Sequence, residues 1–248
     1  VLPEPVPPVA NGQPPPTLSE RLVALTEVLI CSDYPTQLAL GATFSALGYG
    51  PYGPQGRLQV GYVVGLSLLD AVVLIGLVLL FLRAHGERPR DVLFGSRPLA
   101  GEARYGVPLV AAALVIGTTV LLAVRYAAPF LHTVEENPLQ ALLSRPRDVW
   151  LFALVLVVAG GIREEIQRAF LLHRFERWLG GGTLGLVVTS VAFGAGHLLQ
   201  GADAMLVTGI LGAFWGAVYL RRRSAMAPIV SHAGFDLLQL VQFFVAGH

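Results

Sequence analysis

Residues Val60 to Leu82 read VGYVVGLSLLDAVVLIGLVLLFL, an apolar run with one charged residue, Asp70, near its middle. At about 1.5 Å of rise per residue, a helix of this length crosses the roughly 30 Å hydrocarbon core of a bilayer. The stretch therefore predicts a membrane-spanning helix.

The composition agrees. The 248 residues are 54% hydrophobic and 13% charged, with a mean hydropathy of +0.64. A soluble domain carries about a quarter of its residues as charges, so a conventional soluble globule is excluded. Disorder needs low hydrophobicity and high net charge, and the net charge is only +1. There is no basic domain to meet nucleic acid. The 17 basic residues are all arginine, a usage that resembles translation from GC-rich DNA and points to a bacterial source. Cys31 is the single cysteine, so neither an intrachain disulfide nor a CxxC pair can form.

Further spans follow on either side of the first. Arg83 to Arg104 is polar and arginine-rich, and reads as a cytoplasmic loop under the positive-inside rule. Gly106 to Phe130 crosses outward, His132 to Asp148 forms an external loop, and Trp150 to Leu172 returns to the basic stretch His173 to Arg177. Thr183 to Leu199 crosses outward, Ala204 to Leu220 comes back to Arg221, Arg222 and Arg223, and Met226 to Ala246 crosses last. All three basic clusters then share one side. Residues 1–17 are proline-rich and predict an extended tail. Leu18 to Leu47 is apolar but interrupted by Glu27, Asp33, Tyr34 and Pro35, and reads either as a broken span or as an interfacial helix. The expected organisation is a tail over 1–17, membrane helices and loops over 18–148, and a membrane core over 149–248. The expected fold is an all-α polytopic transmembrane bundle with a four-helix core in its C-terminal half, an integral, multi-pass protein of a bacterial inner membrane.

A charged side chain at bilayer depth costs at least about 2.5 kcal/mol on insertion scales. Those within or at the edges of the spans are concentrated late in the chain: Arg163, Glu164, Glu165, Arg168, His197, His232 and Asp236, with Asp70 alone earlier. Glu164 and Arg168 are four apart and share a helix face; Glu165 is three from Arg168, so one arginine can hold either carboxylate. His232 and Asp236 are also four apart, and His197 follows Gly194 and Gly196, small residues that permit close helix packing. Carboxylates and imidazoles converging from three helices make an inventory for activating water. His/Glu/Asp sets also suit zinc, although no HExxH is present.

In this order and on successive helices, REEIQR (163–168), FGAGH (193–197) and HAGFD (232–236) resemble the three motifs of the CPBP intramembrane proteases, the CAAX prenyl-protease and bacteriocin-processing (Abi) family. The family pattern is EExxxR, FxxxH and HxxxN or HxxxD, and the resemblance covers about Trp150 to Ala246. It implies an intramembrane endopeptidase in which Glu164, or Glu165 in its place, activates water and Arg168 positions the carboxylate. His197 would then support the water or a metal, while His232 and Asp236 polarise the scissile carbonyl or complete a metal site. The implied cofactor is zinc or another divalent metal held by Glu164, His197 and His232, with a metal-free glutamate mechanism as the alternative. The implied partners are membrane lipid and a hydrophobic or membrane-anchored peptide, with no nucleic acid.

The first motif departs from the pattern. Anchoring on Arg168 puts Arg163 at the first glutamate position; anchoring on the Glu164–Glu165 pair leaves Arg168 one residue early. The first register supports a competing reading, a non-catalytic scaffold or peptide-binding pseudoprotease of the same fold. Arg163 is expected to compensate a neighbouring carboxylate, and Asp70 to make a helix-helix hydrogen bond. Phe193, Phe235 and Trp215 read as packing or lipid-facing residues. His85, His132, His173 and His248 read as solvated, and Arg221 to Arg223 as a topology anchor near headgroups.

Overall fold

The computed structural model describes residues 15–53, 56–135 and 146–245. Most of the proline-rich tail, part of the external loop and His248 lie outside the described residues. Among these residues every regular element is helical, and strand-like pairing is confined to one bridge, Tyr52 to Leu58. The chain runs through α1 (Leu18–Ile30), α2 (Tyr34–Ala46), α3 (Val60–Ala84), the short α4 (Pro89–Leu93) and α5 (Leu99–Ala127). It continues through α6 (Pro146–Val155), a π-helical segment (Leu156–Arg163), α7 (Glu164–Trp178), α8 (Gly182–Gly196), α9 (Ala202–Arg222) and α10 (Met226–Val245).

Four helices, α3, α5, α9 and α10, are long and apolar enough to cross a membrane. Their outward faces carry large apolar side chains, among them Val72, Leu80, Val115, Leu122 and Val241, all exposed in the protein. Such a perimeter suits acyl chains and not water. The protein is an integral membrane protein with an all-helical fold. At 15 residues α8 is about 22 Å long, short of the full core, and it continues into a 3-10 turn over Leu198–Gln200.

Several sequence-based boundaries move. The expected single span from Trp150 to Leu172 is the middle of an unbroken helical run from Pro146 to Trp178 with the π segment inside it. The expected loop from Arg83 to Arg104 contains α4 and the first turn and a half of α5. Leu18 to Leu47 is two 13-residue helices broken at Ser32 and Asp33, where Asp33 takes a φ of 81° and Pro35 opens α2. Glu27 of α1 meets His85 just past the C-terminal end of α3, and Phe44 of α2 meets Tyr62 at its N-terminal end. The two helices thus reach both ends of α3.

Ion pairs gather the three basic clusters at one end of the bundle. Fully buried Arg174 donates from Nε to Glu27 at 2.6 Å and from NH1 to Glu87 at 2.5 Å. His85 Nε2 lies 2.7 Å from Glu27 and His173 Nε2 2.6 Å from Glu87. Arg222 grips Glu102 with both nitrogens at 2.7 and 2.6 Å, and Arg223 holds Glu176. Solvation was the expectation for His85 and His173, and headgroup anchoring for Arg222 and Arg223. All four are partners of glutamates; His173, with a side chain only 16% exposed, is less solvated than expected, whereas His85 and Arg223 stay exposed. At the opposite end His132, also expected to be solvated, lies 2.9 Å from buried Asp203, and Arg125 lies 3.6 Å from it.

Candidate active site

The site is built where α7 and the π segment meet α10. Gly160 and Gly161, late in the π segment, allow the approach: a Cβ on Gly160 would lie 2.7 Å from Asp236 Oδ2, and one on Gly161 2.7 Å from Ala233 Cβ. Widened π turns recur at functional sites because they re-aim side chains on an otherwise regular helix. Here the turn ends at Arg163, which faces α2 and α3, while Glu165 faces α10.

Glu165 is 1% exposed and pairs with Arg168 three residues on. The structure thereby selects Glu165 from the two carboxylates within reach of Arg168. The same Glu165 Oε1 lies 2.7 Å from His232 Nδ1. A carboxylate oxygen accepts, so Nδ1 carries the proton and Nε2 is turned to the remaining acids. Nε2 is 3.8 Å from Glu164 Oε2 and 3.7 Å from Asp236 Oδ2. Glu164 and Asp236 keep side-chain exposures of 15% and 19%, against 1% for Glu165, so they are the acids a reactant can reach.

Aromatic rings hold this arrangement. The His232 imidazole stacks on the Trp215 indole with centroids 3.8 Å apart and planes at 18°. Trp215 Nε1–H donates to Ser231 Oγ at 3.0 Å, tying α9 to α10. Phe193 meets His232 edge-on at 6.2 Å, and the Arg168 guanidinium lies 4.5 Å from the Phe193 centroid. Trp215 and Phe193 are therefore packing residues, as expected, but the packing is that of the site. No local spacing in the sequence marks Trp215, since it reaches His232 only through the α9–α10 contact.

His197 is placed differently from the expectation. Its Nδ1 lies 2.9 Å from the carbonyl of Phe193, its ring is 4.8 Å from the Phe193 ring, and it touches the site through that residue. Gly194 does serve close packing, with a Cβ there meeting Met205 O at 2.6 Å on α9. Among the described residues no three His, Cys, Asp or Glu side chains are grouped to hold a metal ion. Glu164, His197 and His232 thus do not fit the ligand set expected of them.

Asp70 and Arg163 are drawn into the same region. Arg163 NH1 lies 2.5 Å from Asp33 Oδ1 and 3.6 Å from Asp70 Oδ2, and NH2 donates to Glu164 Oε1 at 3.1 Å. Arg163 compensates carboxylates as expected, and Asp70 faces this arginine while its side chain also interacts with Asp33 and with Thr36 of α2. A groove between α2 and α3, lined by Tyr34, Gln37, Leu38, Gly41, Ala42, Tyr62 and Leu66, adjoins the cluster. Its link to the cluster is Gln37, which donates to Asp33 Oδ2 at 2.7 Å.

No curated protein and no solved structure matches the chain. The family model described as Type II CAAX prenyl endopeptidase Rce1-like matches residues 146–238. That match runs from the start of α6 into α10, takes in Glu164, Glu165, Arg168, His197, His232 and Asp236, and makes this segment similar to the CAAX protease family whose three motifs it resembles.

Proposed function

We propose that the protein is an intramembrane endopeptidase that hydrolyses peptide bonds of hydrophobic or membrane-anchored substrates in a bacterial inner membrane. The observation that carries this reading is the convergence of Glu164 Oε2 and Asp236 Oδ2 on His232 Nε2, just under 4 Å away, with the other imidazole nitrogen secured by Glu165. Such separations are too long for direct hydrogen bonds and leave room for a reactant between the groups.

In this reading Glu164 is the general base and takes a proton from water. The hydroxide adds to the scissile carbonyl carbon, while His232, protonated at both nitrogens among its three acids, donates from Nε2 to the oxyanion. Collapse breaks the C–N bond, and the proton held by Glu164 passes to the leaving amine. Glu165 and Arg168 hold the imidazole, Asp236 lies beside its Nε2, and His197 supports the Phe193 wall. No step runs through zinc, because the proposed ligands are not gathered.

The test is cleavage of a membrane-peptide library by detergent-purified protein. Glu164→Gln is expected to reduce cleavage by roughly 100-fold or more, and a chelator to leave the wild type unchanged. Equal activity of the wild type, Glu164→Gln, Glu165→Gln and His232→Ala overturns the assignment. The competing reading, a peptide-binding scaffold of the same fold, draws on Arg163 at the first glutamate position. In that case the wild type binds library peptides and cleaves none.

A further inference from the structure

Arg163 sits where the register anchored on Arg168 puts a glutamate, yet it is buried and every nitrogen of its guanidinium faces an acceptor. Nε donates to Ala159 O at 3.3 Å, NH1 faces Asp33 and Asp70, and NH2 donates to Glu164 Oε1. The acids opposite NH1 come from α3 and from the break between α1 and α2, outside the matched segment 146–238.

Each of these acids is held for this contact. Asp70 is 1% exposed, and neither of its oxygens has a well-directed hydrogen bond. A buried carboxylate of that kind persists when a cation compensates it, and the cation in reach is Arg163. Asp33 occupies a strained backbone conformation for a non-glycine residue, φ 81°, and its second oxygen is fixed by Gln37. Strain of this kind persists where the surroundings over-determine it. Glu164 is then gripped at Oε1 by Arg163, which leaves Oε2 directed to His232 Nε2.

We infer that Asp33 and Asp70 are positioning residues: they anchor the Arg163 guanidinium, and through it aim the Glu164 carboxylate at His232. The N-terminal helices thereby take part in the site. Arg163 orients the base instead of replacing it. The consequence for turnover rests on the endopeptidase reading; the orientation of Glu164 does not.

The experiment therefore reads both. Protein labelled with 13C-carboxyl glutamate is reconstituted in lipid, and the infrared carboxylate band of Glu164 is assigned by its loss in Glu164→Gln. Asp33→Asn, Asp70→Asn and Arg163→Gln are expected to shift that band, whereas Glu176→Gln, which breaks a remote surface pair, leaves it in place. On a cleaved library peptide, Asp33→Asn lowers kcat by about 10- to 100-fold with KM changed by less than about two-fold, and Asp33→Glu restores most of the loss. If Asp70→Asn fails to fold, Asp33→Asn, at the more exposed carboxylate, decides the matter. A Glu164 band unmoved in the folded Asp→Asn variants overturns the inference whatever the protein cleaves. A band that shifts in the variants, with a wild type that cleaves nothing, overturns the endopeptidase reading and leaves the inference standing.

Discussion

His232 Nδ1 lies 2.7 Å from Glu165 Oε1, a contact that joins α10 to α7 across 67 residues of sequence. The same oxygen is held by Arg168, so one buried carboxylate secures both a guanidinium and an imidazole. Glu164, the adjacent residue, is free of that duty and partly exposed. Under the proposed function, the two glutamates of the motif divide the work of holding and reacting.

That division predicts unequal stability costs. Glu165→Gln strands Arg168, which is 4% exposed, and should destabilise the protein by about 3–5 kcal/mol, the usual cost of breaking a buried pair. Glu164→Gln should cost about 1 kcal/mol. Unfolding in detergent, followed by circular dichroism, checks the difference; equal costs would refute the division.

Gly161 predicts a steric effect on the same contact. Gly161→Ala places a methyl 2.7 Å from Ala233 Cβ and 3.2 Å from its Cα. Backbone on a neighbouring helix cannot yield as a flexible side chain can, so the change should cost about 1–3 kcal/mol. The melting temperature of the purified variant measures this, and Gly101→Ala, where a Cβ meets nothing, serves as the control.

Trp215 predicts a combined loss. Trp215→Leu removes the surface on which His232 stacks and leaves Ser231 Oγ, in a fully buried residue, without its donor. An unsatisfied buried hydroxyl costs about 1–3 kcal/mol. Both unfolding midpoint and cleavage rate should fall. Trp215→Phe, which keeps an aromatic face, should recover more of the rate than of the stability.

The ionic strap at the basic end predicts an acid-sensitive stability. Burial works to raise the Glu87 carboxyl, but hydrogen bonds from His173 and Arg174 outweigh it and hold the group down from its ordinary 4.5 to about 2. Because the folded value is the lower one, this stabilisation is present above about pH 4.5 and is lost as pH falls towards about 2. Unfolding midpoints of wild type and Glu87→Gln should therefore differ at pH 6 to 7 and converge only as pH falls through about 2. A constant difference across that range would exclude the linkage.

The helical membrane fold was legible in residues such as Val60 to Leu82, because length and hydropathy are local properties and a bilayer imposes its thickness on each span separately. The pairing of Arg168 with a glutamate within one turn was legible for the same reason. So was the gathering of the basic clusters on one side, which the ion pairs of Arg174, Arg222 and Arg223 reproduce.

The tertiary structure decided which glutamate Arg168 takes, since Glu164 and Glu165 are both in reach and the packing sets His232 Nδ1 on Glu165 while Arg163 takes Glu164. It turned His197 to its own helix, brought Trp215 under His232, and joined Asp33 and Asp70 to Arg163. Those contacts depend on helix rotation and on the widened turn from Leu156 to Arg163. By itself the sequence determined which charges enter the membrane; which of them meet was decided by packing, because buried charges persist only where the assembled helices supply partners.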